Sequence, residues 1–262
     1  MHINFQSVDT LLFAIMGGMV PIFLWLWFWL REDKLQPEPK TLLFLTFLGG
    51  MIGTAAALSL ESFASTPNIV SIFVSGPLSH IGTFLGGFVT AENPLKKILM
   101  VVIFSPIIEE LIKFFAGYFI AMRSKANDEP IDPIIYMITA ALGFAAVENI
   151  LYLLIVITDP NSTQIFTLLT GDARFMGATV LHTVSSAVIG MFIGFSYFET
   201  KKERFFYTIL GIVLAILLHS AFNFSIILGR DAAAIAMECF WVAVVIILLL
   251  FERIKNIKLN KI

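Results

Sequence analysis

An all-α, polytopic bundle of about seven transmembrane helices is the fold class this sequence predicts, and three observations predict it. Of the 262 residues 58% are hydrophobic and 14% charged, and the mean hydropathy of +0.89 lies outside the range of ordinary soluble domains. The apolar residues gather in runs close to the roughly 20 residues that a bilayer core demands of a helix. Clusters of charge separate those runs, and the spans leave too little chain for a second folding unit, so residues 1–262 read as a single membrane-embedded domain.

The first run, 11–30, follows "MHINFQSVDT", which has no basic stretch. That run is also too long for the apolar part of a cleaved signal peptide, so it reads as a retained span. The second run is 41–60, the third 97–121, the fourth 133–157, the fifth 173–198, the sixth 206–228 and the seventh 232–251. Residues 69–90 are apolar but broken by Gly76, Pro77, His80, Gly82, Gly86 and Gly87, which fits an eighth span or a re-entrant segment. Charge decides for seven. With the N-terminus outside and the C-terminus cytoplasmic, the inner side collects most of the Lys and Arg residues between spans, leaving Lys96, Lys97, Arg174 and Arg230 outside. An eighth span would mix the two sets.

The formal net charge of -2 and the absence of a large basic patch exclude a nucleic-acid partner. The lipid bilayer and other membrane proteins remain as partners. Cys239, the single cysteine, cannot form an intrachain disulfide and reads as packing filler in an apolar run.

Several polar residues lie where lipid-depth sequence should have none. The third span places Glu109, Glu110 and Lys113 near its middle, where each charge opposes insertion by about 2.5–3.5 kcal/mol. Lys113 stands at i,i+4 from Glu109 and i,i+3 from Glu110, so it can pair with either along one face. One lysine cannot neutralise two acids, so one of them requires a proton or a partner from another helix. Pro106, just before, removes a backbone donor and can open the helical ladder there. The fourth span adds Glu148 and Asn149, the fifth His182, and the sixth His219 and Asn223 on one face. At 1.5 Å of rise per residue, Glu109 lies about 18 Å and Glu148, His182 and His219 about 14 Å from the outer ends of their spans. Four helices thus present acids and imidazoles in one layer.

Taken singly, some of these residues read differently. A lone histidine in a span can be a packing residue, and Asn149 and Asn223 can be interhelical glue. Ser185, Ser186 and Ser220 are expected to bond to backbone carbonyls one turn away rather than to act as nucleophiles. Three glutamates and two histidines at one depth resist such an explanation. The chain has neither the HExxH of one-helix zinc proteases nor a GxSxG nucleophile motif. Asp132, Asp159, Asp172 and Asp231 fall in loops or at span ends, away from the layer that aspartyl chemistry would need. Glutamate chemistry remains: a carboxylate that takes a proton from water while histidine and asparagine donors stabilise the oxyanion. The runner-up is a proton-coupled transporter or channel, in which the same buried Glu and His residues would relay protons. The broken-helix signals at Pro21, Pro106 and the glycines of 76–87 favour it; the lack of an inverted repeat counts against it. A scaffold that merely binds partner helices would not need the polar clusters.

The residues also carry a family resemblance. "EELIK" at Glu109–Lys113, "GFAAVEN" at Gly143–Asn149, Arg174 eight residues before His182 with Gly190 eight beyond, and "LLHSAFN" with His219 and Asn223 together resemble the PrsW family of intramembrane proteases. The loop "REDKLQPEP" adds to the likeness, which runs from about residue 28 to the last span. That family is distantly similar to the CAAX prenyl-protease and bacteriocin-processing group. The resemblance implies a prokaryotic cell-membrane protein that cuts a single-span or otherwise membrane-anchored protein, in some members an anti-sigma factor at the first step of its destruction. It implies catalytic roles for Glu109, Glu110, Glu148, His182 and His219. Asn149, Asn223, Lys113 and Arg174 would stand behind them or contact substrate and oxyanion. It also implies a metal: Glu148, His182 and His219 would form a set suited to zinc, although the CAAX relatives point to a metal-independent route. Two departures stand out. The stretch between the second span and the double glutamate is long for the family, and Asn223 replaces an acid found in some relatives, which suggests that it orients His219.

Overall fold

The computed structural model describes residues 8–31, 37–64, 100–158 and 162–257, and within them the chain forms seven helices and no strand. They are α1 (Val8–Leu30), α2 (Lys40–Ala64), α3 (100–122), α4 (Asp132–Thr158), α5 (164–195), α6 (Lys201–Leu228) and α7 (Arg230–Lys255). Each predicted span falls on one of them. Six are long and apolar enough to cross a membrane. The other, α3, is the helix that carries Glu109, Glu110 and Lys113. The ambiguous stretch 69–90 lies outside the described residues.

The differences from expectation are at the ends. α5 begins nine residues before the predicted 173, because Asp172 and Arg174, which look like a span boundary, lie inside a continuous helix. α6 begins at Lys201 rather than 206 because Thr200 caps it, its side chain and that of Glu203 each accepting from the other's backbone N–H. Both α3 and α5 contain π turns, at Met100–Phe104 and Tyr118–Met122 in α3 and at Arg174–Ala178 in α5. Pro106 stands directly after the first of these.

α4 is the central post. Its residues from Asp132 to Ala146 are buried without interruption, and it packs against α1, α2 and α5. The approach to α2 is backbone to backbone. A Cβ on Gly50 would collide with the Ala140 carbonyl oxygen, and one on Gly143 with that of Phe47. Thr54 then donates its hydroxyl to Phe144 O at 3.1 Å. Gly190 lets α5 come equally close to the backbone at Ile134. Small residues at such crossings are how helices associate in lipid, where apolar burial offers no drive.

The core runs through Trp25 and Trp29 of α1, Ile135 and Leu142 of α4, Val184 of α5 and Phe251 of α7. The outer surface is apolar as well: Leu24, Trp27, Phe205, Leu217 and Leu249 are all exposed. That surface faces lipid, so this is an integral membrane protein. Cys239 belongs to that outer face, exposed on α7. It is therefore not the buried filler its apolar neighbours suggest, because in lipid an apolar neighbourhood does not imply burial.

Candidate active site

Four helices build the site. α3 contributes Glu109, Glu110 and Lys113, which are 6%, 0% and 0% exposed, α4 contributes Glu148 and Asn149, α5 His182, and α6 His219. Burial of this much charge is tolerable only if every group is paired, and nearly every one is.

Glu110 is the best satisfied. It accepts from Lys113 Nζ at 2.6 Å and His219 Nδ1 at 2.8 Å on one oxygen, and from the Ser186 hydroxyl at 3.2 Å on the other. Lys113 also donates to His182 Nδ1 at 3.0 Å and sits 5.0 Å from the centre of the Phe144 ring. Because an ammonium has only donors, His182 Nδ1 must accept, and the ring proton must lie on Nε2. Nε2 accordingly donates to Glu148 Oε2 at 2.8 Å. The same carboxylate oxygen accepts from Arg174 at 2.6 Å, while Arg174 Nε donates to Asn149 Oδ1 at 2.7 Å. Asn149 in turn donates to Thr179 at 3.1 Å, and the guanidinium lies 4.1 Å from the Tyr152 ring centre.

Arg174 and His182 meet on Glu148 because of the π turn between them. Eight residues of regular α-helix amount to two turns plus about 80°, which would point the two side chains apart. A π turn absorbs one extra residue, taking back about 100° and returning them to one face.

Glu109 is the exception. The Ser105 hydroxyl lies 2.8 Å from its Oε1 and shares its one proton between that oxygen and Glu61, but the buried Oε2 of Glu109 has no hydrogen-bond partner. That oxygen lies 3.8 Å from His182 Nδ1, 3.9 Å from His219 Nε2 and 3.9 Å from Lys113 Nζ. Among the described residues, Glu109, His182 and His219 are also the three whose ligand atoms lie within 4.8 Å of one another, close enough to share a metal ion. This set has Glu109 where the sequence suggested Glu148, whose carboxylate is held by Arg174 and His182 instead. Glu109, Glu148, Arg174, His182 and His219 line a cavity of about 780 Å³, with Glu110 and Lys113 behind them. It is bordered by residues near the ends of the helices, such as Leu58 of α2, Val101 of α3, Thr158 of α4 and Ile227 of α6.

Residues 38–251 match the PrsW family intramembrane metalloprotease model. The chain belongs to this family. The Protease PrsW of Geobacillus kaustophilus is 26% identical over 229 residues, covering 87% of this chain and 86% of its own. That of Clostridioides difficile is 26% identical over 234 residues, covering 88% and 85%, and that of Bacillus subtilis 23% over 214 residues, covering 81% and 83%. No solved structure matches. The PrsW membership makes this an intramembrane protease of a bacterial membrane, with a membrane protein as its substrate, and it decides against the transporter reading.

Within this PrsW chain, several residues depart from their expected places. Asn223 does not hold His219. It donates to Val101 O at 2.9 Å, tying α6 to the π turn of α3, and Glu110 takes the imidazole instead. Ser186 does not bond to its own helix but to Glu110, and Ser185 has a buried hydroxyl without a partner. Ser105 and Glu61 went unnoticed in the sequence. The Ser105 hydroxyl touches both Glu109 and, at 2.6 Å, Glu61 from the end of α2. A serine one turn before a buried acid is the signal that could have found the first; a single acid near a span end offers none for the second.

Proposed function

We propose that this PrsW-family protein is an endopeptidase that hydrolyses a peptide bond of a single-span or membrane-anchored protein, with Glu109 as the base. Regulatory membrane proteins such as anti-sigma factors are the substrate class that the resemblance favours. The observation that carries the assignment of Glu109 is its unpartnered, buried Oε2, facing two imidazoles at the floor of the cavity.

A gap of 3.9 Å between that oxygen and His219 Nε2 is too long for a direct hydrogen bond and short enough for a water to bridge. In the step we infer, Glu109 takes a proton from water as the water oxygen attacks the scissile carbonyl carbon. Glu109 then delivers that proton to the departing amine nitrogen as the C–N bond breaks. Glu110 holds His219 by Nδ1, leaving the Nε2 lone pair directed into the site. The Arg174 guanidinium, which rests on Glu148 and Asn149 through two of its five N–H groups, keeps others as the donors available to a developing oxyanion.

The donor set also fits a divalent metal. Two imidazoles and a carboxylate come from three helices, one imidazole is braced by Glu110, and Glu109 offers an uncommitted oxygen. As the alternative to its role as base, Glu109 would hold the ion through Oε2 together with His182 and His219, with zinc as the species such a set suits. When bound, it would supply Lewis-acid polarisation of the carbonyl and a more acidic water.

Glu109→Gln keeps the shape and removes the base. In cells carrying a tagged membrane-anchored substrate, the variant should leave the uncut protein to accumulate while the unaltered enzyme clears it. Turnover within about threefold of the unaltered enzyme, against the 10²–10⁴-fold typical of a general base, would remove Glu109 from its assigned role.

A further inference from the structure

We propose that Lys113 sets the metal affinity of the Glu109–His182–His219 cluster by occupying the His182 lone pair that a metal ion would need.

The hydrogen bonds around the cluster make the conflict specific. Glu109 Oε2 has no hydrogen-bond partner, and His219 Nε2 is free to coordinate because its Nδ1–H is spent on Glu110. His182 has nothing left to offer. Its Nε2–H is given to Glu148 at 2.8 Å, and its Nδ1 lone pair receives Lys113 at 3.0 Å. Nδ1 is also the His182 atom that lies 3.8 Å from Glu109 Oε2, on the side where the three ligands converge. A metal therefore meets Lys113 at the one ligand it must share.

Lys113 is not placed to yield easily. It is fully buried, anchored to Glu110 at 2.6 Å and seated 5.0 Å from the Phe144 ring centre. A divalent ion on His182 Nδ1 would add two positive charges beside the ammonium in a medium that screens them poorly. Ammonium and metal are thus alternatives at His182. Lys113 balances the two α3 glutamates when the metal is absent and weakens its binding when it arrives. Arg174, the other cation of the site, is already committed to Glu148 and Asn149 and cannot take over.

The inference concerns metal binding and is independent of the protease reading, so its test needs no substrate. The full-length protein, purified into nanodiscs, is titrated with Co²⁺, whose visible absorption reports tetrahedral coordination, and with Zn²⁺ in competition. Lys113→Met and Lys113→Gln, in whichever retains the elution profile and thermal transition of the unaltered protein, should bind more tightly by about tenfold or more, the scale on which neighbours of metal ligands act. Lys113→Arg, which keeps the charge, should not. His219→Ala should abolish the signal in every background. Unchanged or weaker binding in the neutral variants overturns the proposal. A second measurement needs no substitution. With ¹⁵N-labelled lysine and histidine in the unaltered protein, metal addition should shift the Lys113 and His182 resonances together. A metal-bound His182 beside an unmoved Lys113 signal would overturn the proposal equally.

Discussion

Ser105 shows how much one hydroxyl can decide. It holds Glu109 by Oε1 at 2.8 Å and so leaves Oε2 turned toward the imidazoles. A hydrogen bond to a charged group contributes about 1.5–3 kcal/mol. Removing it in Ser105→Ala should therefore lower kcat by about tenfold or more with little change in KM. Ser105→Thr, which keeps the hydroxyl, should restore most of the loss, and steady-state cleavage of a membrane-anchored substrate would check both. The sequence made the ionisable residues legible because a charge in a span is costly enough to demand a reason. It hid Ser105 and Ser186 because a serine in a helix usually bonds to its own backbone, and nothing in the local pattern marks the ones that reach across to a carboxylate. Glu61 stayed hidden for another reason, since an acid near the end of an apolar run looks like a boundary.

Among the elements, α5 is the most informative. Its π turn at Arg174–Ala178 sets Arg174 and His182 on one face, whereas its other end is locked to α4 where Gly190 meets Ile134. Inserting one alanine between Thr179 and Leu181, in the regular helix beyond the turn, should swing Arg174 about 100° away from Glu148. Proteolysis should then fall sharply while the thermal transition of the purified protein stays close to that of the unaltered chain, because the crossing with α4 is untouched. Equal loss of folding and activity would show that the turn serves packing alone. The position of this helix was foreseeable from its apolar length, but its start was not. Asp172 and Arg174 mimic the edge of a span, and only the partners of Arg174 explain why a charge can lie inside one.

For the molecule as a whole, the seven helices of the described residues, six of them long and apolar enough to cross a membrane, could be read from run lengths and charge clusters because the bilayer fixes the length of a crossing helix. The convergence of four of them needed more than depth, since equal depth does not say which way a side chain turns; the glycine crossings of α4 with α2 and α5 fix the pair of helices that carry Glu148 and His182. The distribution of Lys and Arg supports an N-terminus outside and a C-terminus in the cytoplasm. Fused at the C-terminus, a reporter that fluoresces only in the cytoplasm should be bright, and one active only outside should be silent. The opposite pattern would overturn that orientation.

The crossing at which Gly50 meets Ala140 and Gly143 meets Phe47 has a mechanical consequence. Where Gly50 and Gly143 leave no side chain between α2 and α4, parting the two helices would give up close backbone packing and the Thr54 hydroxyl bond to Phe144 O. That seam is a closed wall, and a substrate segment sliding in from the bilayer has to part some other pair of helices.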